Sequence, residues 1–166
     1  GRQLPVAAGG DMAMRFLESV RRSVLGISLE EATFARRGFR PTESGRQTRL
    51  ERIGKAFVQG YLDALEETDP TALASRLHEV QLDVRGFAFE GAAMGLALLD
   101  QVIPGSGGRW QAFLNGPGAN HAYMLHVGAG WAMARVPWAR ANIEPRLKHL
   151  DPLLRWLVLD GLGFHQ

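Results

Sequence analysis

Glu90 is the residue with the most chemistry to account for, because it is the one ionisable group in the run Gly86 to Leu99, GFAFEGAAMGLALL. An unpaired carboxylate among apolar side chains is costly, so it either finds a partner or takes up a proton and becomes neutral. The expected partner is an arginine, with Arg85, Arg135 and Arg155 as candidates, or a helix terminus. The alternative is a carboxyl of raised pKa that works as an acid, a base or a ligand-orienting group. His121 and His126 are the groups that could share proton transfer with it. Their five-residue spacing puts them about 140° apart around a helix, so they cannot both chelate one ion from one face.

Other chemistries lack their residues. The HExxH and ExxH signatures of metal-bearing helices are absent, and no metal site is expected. There is no cysteine, which excludes disulfides, thiolate metal sites and cysteine nucleophiles together. No G-x-S-x-G elbow surrounds any serine, and the glycine clusters at 105–108 and 116–118 lack the strand and the GKS or GKT of a phosphate cradle. No organic cofactor is implied. His121 follows Gly116-Pro117-Gly118 in the first turn of its helix, where it can donate to a ligand or bond a loop carbonyl.

Two helices must position these groups. The first, Gly86 to Leu99, is apolar on every side except at Glu90, which marks it as central and buried. It carries Gly91 and Gly95 four residues apart, a smooth face that offsets the cost of about 1 kcal/mol per interior helical glycine only if another backbone comes close. The second, Asn120 to Ala134, NHAYMLHVGAGWAMA, repeats the pattern with Gly128 and Ala132. Two smooth faces either pack on each other or leave a slot for a flat or elongated apolar ligand. The candidate substrate-binding residues are Gly91, Met94 and Gly95 on the first helix and Tyr123, Met124, Gly128 and Trp131 on the second.

The remaining segments have helical lengths, and none shows the period-two alternation of a strand. Residues 1–11, GRQLPVAAGGD, have no periodicity and suit a flexible tether or expression remnant. From Met12, Phe16, Val20 and Val24 recur every four residues in an amphipathic helix stopped by Gly26. Ser28 and Glu31 form a capping box for a short helix through Arg37, ended by Gly38 and Pro41. A longer helix from about Arg46 to Glu67 carries Leu50, Ile53, Phe57, Tyr61 and Leu65 on one stripe. Asp69 is an N-cap with Pro70 at the first helical position, so residues 71–80 form another helix with Leu73 and Leu77 inward. Asp151-Pro152 opens a final helix, apolar on most faces and expected to be buried. The fold class is all-α, a compact orthogonal helical bundle of about seven or eight helices with the two glycine-containing helices at its centre, and residues 12–166 are its one domain.

Composition agrees with that domain and narrows its partners. The 166 residues are 46% hydrophobic and 22% charged, ordinary usage for a globular domain. Nineteen basic residues are interspersed with 17 acidic ones, for a net charge of +2. That mixture is no nucleic-acid footprint. No uncharged apolar stretch reaches 18 residues, so no transmembrane segment is expected, and the absence of a leader pattern points to the cytoplasm.

Four blocks carry a resemblance. LGISLEEATFARRGF from Leu25, RGFAFEGAAMGLALLD from Arg85, FLNGPGANHAYMLHVGAGWAMARVP from Phe113 and LDPLLRWLVLDGLGFH from Leu150 resemble, in order, a domain-of-unknown-function family encoded in bacterial enediyne antibiotic clusters. The resemblance spans most of Leu17 to His165. It implies a pathway, the maturation of polyene and enediyne-core polyketides, and it implies that this chain corresponds to the N-terminal half of a longer protein. The positions it carries over for testing are Glu90, His121, Tyr123, His126 and Asp160. Three functions are then open. The protein is an accessory module that shelters an apolar polyene or enediyne-core precursor. Or it is a cofactor-independent enzyme acting on that precursor through Glu90 with His121 or His126. Or it is an assembly component that packs against a pathway partner or its own C-terminal half.

Overall fold

A computed structural model describes residues 17, 19–40, 44–103, 107–141, 147, 148 and 150–164. The expected tether at 1–11, the start of the first helix at Met12 to Phe16, and His165 lie outside the described residues. Residues 19–25 are helical. Eight labelled helices follow: α1 (Phe34–Arg37), α2 (Ser44–Glu66), α3 (Pro70–Glu79), α4 (Leu82–Val102), α5 (Arg109–Leu114), α6 (Ala122–Arg135), α7 (Pro137–Ala141) and α8 (Arg155–Phe164), with 3-10 turns at Leu29–Ala32 and Ala119–His121. Among the described residues there is no strand, and the fold is all-α.

The longest helices stand in a row. α2 packs on α4, α4 on α6 and α6 on α8. α4 is the middle of this row because its sequence permits it: every residue from 88 to 99 is buried, Glu90 included. One core lies between α2, the second half of α4, α6 and α8, around Tyr61, Leu65, Leu99 and Val158. A second lies between α3, α4 and α5, around Leu73, Leu77, Phe89 and Phe113. Asp69 caps α3 through the amides of Thr71 and Ala72, with Pro70 in the first turn, as its spacing predicts. Asp100, at the end of α4, accepts from the amides of Arg109 and Trp110 and so fastens the start of α5.

Glycines set the distance between the rows. A methyl group built at Gly91 would lie 2.7 Å from the carbonyl carbon of Phe57, and one at Gly60 would lie 2.9 Å from Cα of Ala88. At Gly128 it would meet Ala93 Cβ at 2.8 Å and overlap the Glu90 carbonyl. Gly130 and Gly161 face each other's helices in the same way, against Val158 and Val127. In each case the glycine hydrogen takes the place of the methyl and points at a carbonyl oxygen across the crossing. Such Cα–H···O contacts contribute about 0.5–1 kcal/mol each where backbones come this close.

Three expectations are corrected. The Gly91/Gly95 face packs on α2, against Phe57, Tyr61 and Ala64, and does not meet the Gly128 face. Gly128 packs instead on a different side of α4, at Glu90 and Ala93, because α4 is covered on two sides at once. The capping box at Ser28 also divides. Ser28 caps only the 3-10 turn, and Thr33 Oγ1 accepts from the Arg36 amide to start α1 separately. Glu31, the expected return partner, is held by Arg36 at 2.8 Å. Finally, α8 is buried along one face only. Val158 and Gly161 are covered, but Trp156 and Phe164 are exposed, as is Leu153 in the turn before the helix. Asp151 does cap that end, accepting from the amides of Leu153 and Leu154.

Gly91→Ala and Gly86→Ala place the same methyl on the same helix with opposite expected signs. At Gly91 the methyl meets backbone that cannot move alone, so a loss of roughly 1–3 kcal/mol or more is expected. At Gly86 it meets only the Met124 side chain, 3.6 Å away, so a gain of up to about 1 kcal/mol is expected from helix propensity. Urea unfolding of the two variants measures both, and equal effects would show that the crossing is not set by Gly91.

Candidate functional site

Where the helices diverge beside these crossings they leave a cavity of about 770 Å³. α4 provides Phe87, Glu90 and Met94; α6 provides Tyr123, Met124, Val127, Trp131 and Arg135. α2 adds Ile53, Gly54, Phe57 and Val58, α8 adds Asp160 and Phe164, and the segment before α2 closes the wall with Ile27, Glu31, Ala32 and Arg37. The α6 residues form one stripe along the helix. From Tyr123 to Arg135 that stripe spans about 18 Å at the α-helical rise. The cavity is therefore elongated, and most of its lining is apolar.

Glu90 is the buried charged residue of this wall. It is 7% exposed, and its Oε1 accepts a hydrogen bond of 3.0 Å from the Trp131 indole N–H. The Trp131 ring lies in turn beside Phe57, with centroids 5.5 Å apart. Burial pushes the Glu90 pKa up to about 7; the Trp131 bond pulls it back and the Asp160 carboxylate pushes it up further. The expected arginine partner is not found among the described residues. The Arg85 Nε donates to the Val80 carbonyl at 3.0 Å, and the Arg155 guanidinium lies over the Trp156 ring at 5.3 Å. Arg135 shares the cavity without an ion pair to Glu90. An indole N–H serves the carboxyl without bringing a second charge into the apolar wall.

The two histidines lie elsewhere. His121 stacks on Phe89 with ring centroids 3.8 Å apart, and His78 is 6.0 Å away. Burial lowers its pKa, and the nearby His78 and Arg85 lower it further. Phe89 and Glu90 are consecutive on α4 and project about 100° apart, so a ring stacked on one is carried away from the other. His126 is 2% exposed, edge-on to Trp110. Its Nδ1 is 2.7 Å from the Ala122 carbonyl, which can only accept, so Nδ1 carries the proton. Its Nε2 is buried with no hydrogen-bond partner among the described residues. The structure thus does not bring His121 or His126 to Glu90.

Of the residues expected to bind substrate, Met94, Tyr123, Met124 and Trp131 line the cavity. Gly91, Gly95 and Gly128 do not; they are spent at the helix crossings. Phe57, Val58, Phe87, Arg37 and Ile27 line the cavity as well, beyond the residues expected from sequence. For α2 a signal was present, since Phe57 lies on the stripe that faces α4. For the 27–37 segment there was none, because its placement depends on long-range contacts such as the Tyr61 hydroxyl donating to the Leu25 carbonyl at 2.7 Å. Among the described residues no group of three or more side chains could hold a metal ion, and no helix is long and apolar enough to cross a membrane.

Compared with known proteins, the sequence matches one family, described as a protein of unknown function (DUF1702), over residues 16–166. No curated protein and no solved structure matches it.

Glu90→Gln keeps the acceptor for Trp131 and removes the charge, so the variant is expected to fold. An ordinary glutamate ionises near 4.5 and this one near 7. Between those values the folded chain retains a proton that the unfolded chain has released, so native stability falls as pH rises through that window and levels off above it. Relative to Glu90→Gln, the native protein should lose on the order of 2–3 kcal/mol between pH 4.5 and pH 8. Urea titrations of both proteins across the range measure it, and a difference that is flat with pH would place the carboxyl in water.

Proposed function

The chain belongs to the DUF1702 family of proteins of unknown function, and from that premise we propose that it binds and shelters an elongated apolar small molecule in the cavity between α2, α4, α6 and α8. The observation that carries this reading is the cavity itself, about 770 Å³ of mostly apolar wall with one buried carboxyl held by an indole. Sites for small molecules commonly have that composition, an apolar lining with a few placed polar groups. The resemblance of the four sequence blocks to proteins of enediyne clusters supports a finer version, in which the guest is a polyene or enediyne-core precursor and the protein an accessory of antibiotic biosynthesis in the cytoplasm.

A second reading rests on Glu90. A carboxyl whose pKa stands near 7 can both hold and release a proton at neutral pH, which supports cofactor-independent proton transfer to or from the bound guest. In that reading His121 and His126 are not the partners, since neither lines the cavity. The assembly alternative draws its support from α8 and the turn before it, where Trp156, Phe164 and Leu153 are uncovered.

Met124 is half-buried at the cavity wall, with its flexible side chain against Gly86, so Met124→Trp fills space there while leaving every glycine-to-backbone crossing in place. Mass spectrometry of small molecules co-purifying with the protein expressed in an enediyne producer should find an apolar guest on the native chain and lose it from Met124→Trp at unchanged thermal stability. The same complement on both proteins would end the sheltering function.

A further inference from the structure

The charges around the cavity are not distributed evenly. Glu31 is engaged by Arg36, and the Arg37 Nε donates to the Glu31 carbonyl at 2.7 Å. Glu90 is bonded by Trp131, and Asp160 lies on the α8 side, close enough to act on Glu90. Asp160 is exposed and without an ion pair or hydrogen bond among the described residues, but it stands beside Gly161, which packs on Val127, and so lies near the Glu90 level; Arg135 does not. It ends the cavity-lining stripe of α6, it is exposed, and it makes no ion pair or hydrogen bond among the described residues.

Its position along the cavity follows from the helix register. Met124 lies against Gly86 and Gly128 against Glu90, so α4 and α6 run in the same direction. Arg135 is therefore seven residues beyond the Glu90 level, about 10 Å along the axis. Between the two stands the apolar wall of Val58, Met94 and Trp131, and the far end of the stripe is lined by Phe87 and Tyr123. One end of an elongated apolar cavity thus carries a cation with no counter-charge among the described residues. A guest that was apolar throughout would leave that guanidinium unused.

We propose that the guest is amphipathic: a long unsaturated acyl chain lies along the stripe from Tyr123 to Trp131, and its terminal carboxylate is held by the Arg135 guanidinium. The planar fork of an arginine matches a carboxylate through two parallel hydrogen bonds, and an aromatic-lined channel suits a rigid conjugated chain. The inference rests on the cavity being a ligand site, and it names the class of ligand and the residue that selects it.

A fluorescent conjugated tetraene fatty acid, cis-parinaric acid, and its methyl ester test the two ideas separately, since both fill the cavity but only one carries the charge. The acid should bind the native protein at least about tenfold more tightly than the ester, the scale of one charge-assisted contact. Arg135→Gln should bring the acid down to the level of the ester and leave the ester unchanged, and Arg135→Lys should recover part of the difference. Equal binding of acid and ester to the native protein overturns the head-group assignment and leaves the sheltering function standing. Binding of neither overturns both. An acid preference that survives in Arg135→Gln overturns the role of Arg135.

Discussion

Backbone-to-backbone approach at glycine is the constraint on which the rest of this molecule depends. Where α2, α4, α6 and α8 meet, each crossing contains a residue whose missing side chain lets a carbonyl of the neighbouring helix come in: Gly60 and Gly91, then Gly128, then Gly130 and Gly161. Glycine is a poor helix former, costing about 1 kcal/mol per residue relative to alanine. Close contact and Cα–H···O bonding offset that cost only if every crossing forms. The four helices are thereby made mutually dependent, although each is unremarkable by propensity.

The cavity is the other side of the same arrangement. Immediately beside each small residue in sequence stands a large or polar one, Glu90 next to Gly91 and Val127 next to Gly128, turned about 100° away from the contact. Helices pinned together along one line must separate on its flank, and the neighbouring side chains then line a gap they do not fill. Glu90 is placed in an apolar wall because its glycine neighbour is at a crossing. Its raised pKa is in this sense a consequence of helix packing, as is the use of an indole in place of an arginine to satisfy it. The Arg135 guanidinium at the end of α6 then gives the gap a direction.

What could be read in the sequence was the local part. The Asp69-Pro70 start of α3, the inward Leu73 and Leu77, the burial of the Gly86–Leu99 run from Ala88 onward and the isolation of Glu90 all follow from spacing and side-chain type. Partners across space did not. Nothing local tells that Gly91 faces α2 while Gly128 faces α4, since both patterns would suit a mutual contact equally well. The arginine expected for Glu90 was a reasonable electrostatic choice, but Trp131, already named as a binding residue, lies closer by helix register. The Ser28–Glu31 capping box failed through local competition, as Thr33 offers a second hydroxyl five residues later. The uncovered face of α8 shows the limit of judging burial from composition, which counts apolar residues without knowing how many faces a helix has neighbours on.

The glycine crossings also bear on how functional importance would be judged from tolerance to change. A position where even one methyl would strike a main chain accepts no other amino acid, so Gly60, Gly91, Gly128, Gly130 and Gly161 would behave in any exhaustive replacement survey as an active site behaves. The cavity wall would behave in the opposite way. Methionine, valine and phenylalanine exchange readily at a surface that has room beside it, and a protein could change its guest while every crossing stayed frozen. In this fold, the most intolerant positions trace the joints of the frame, and chemical identity is written where substitution is permitted.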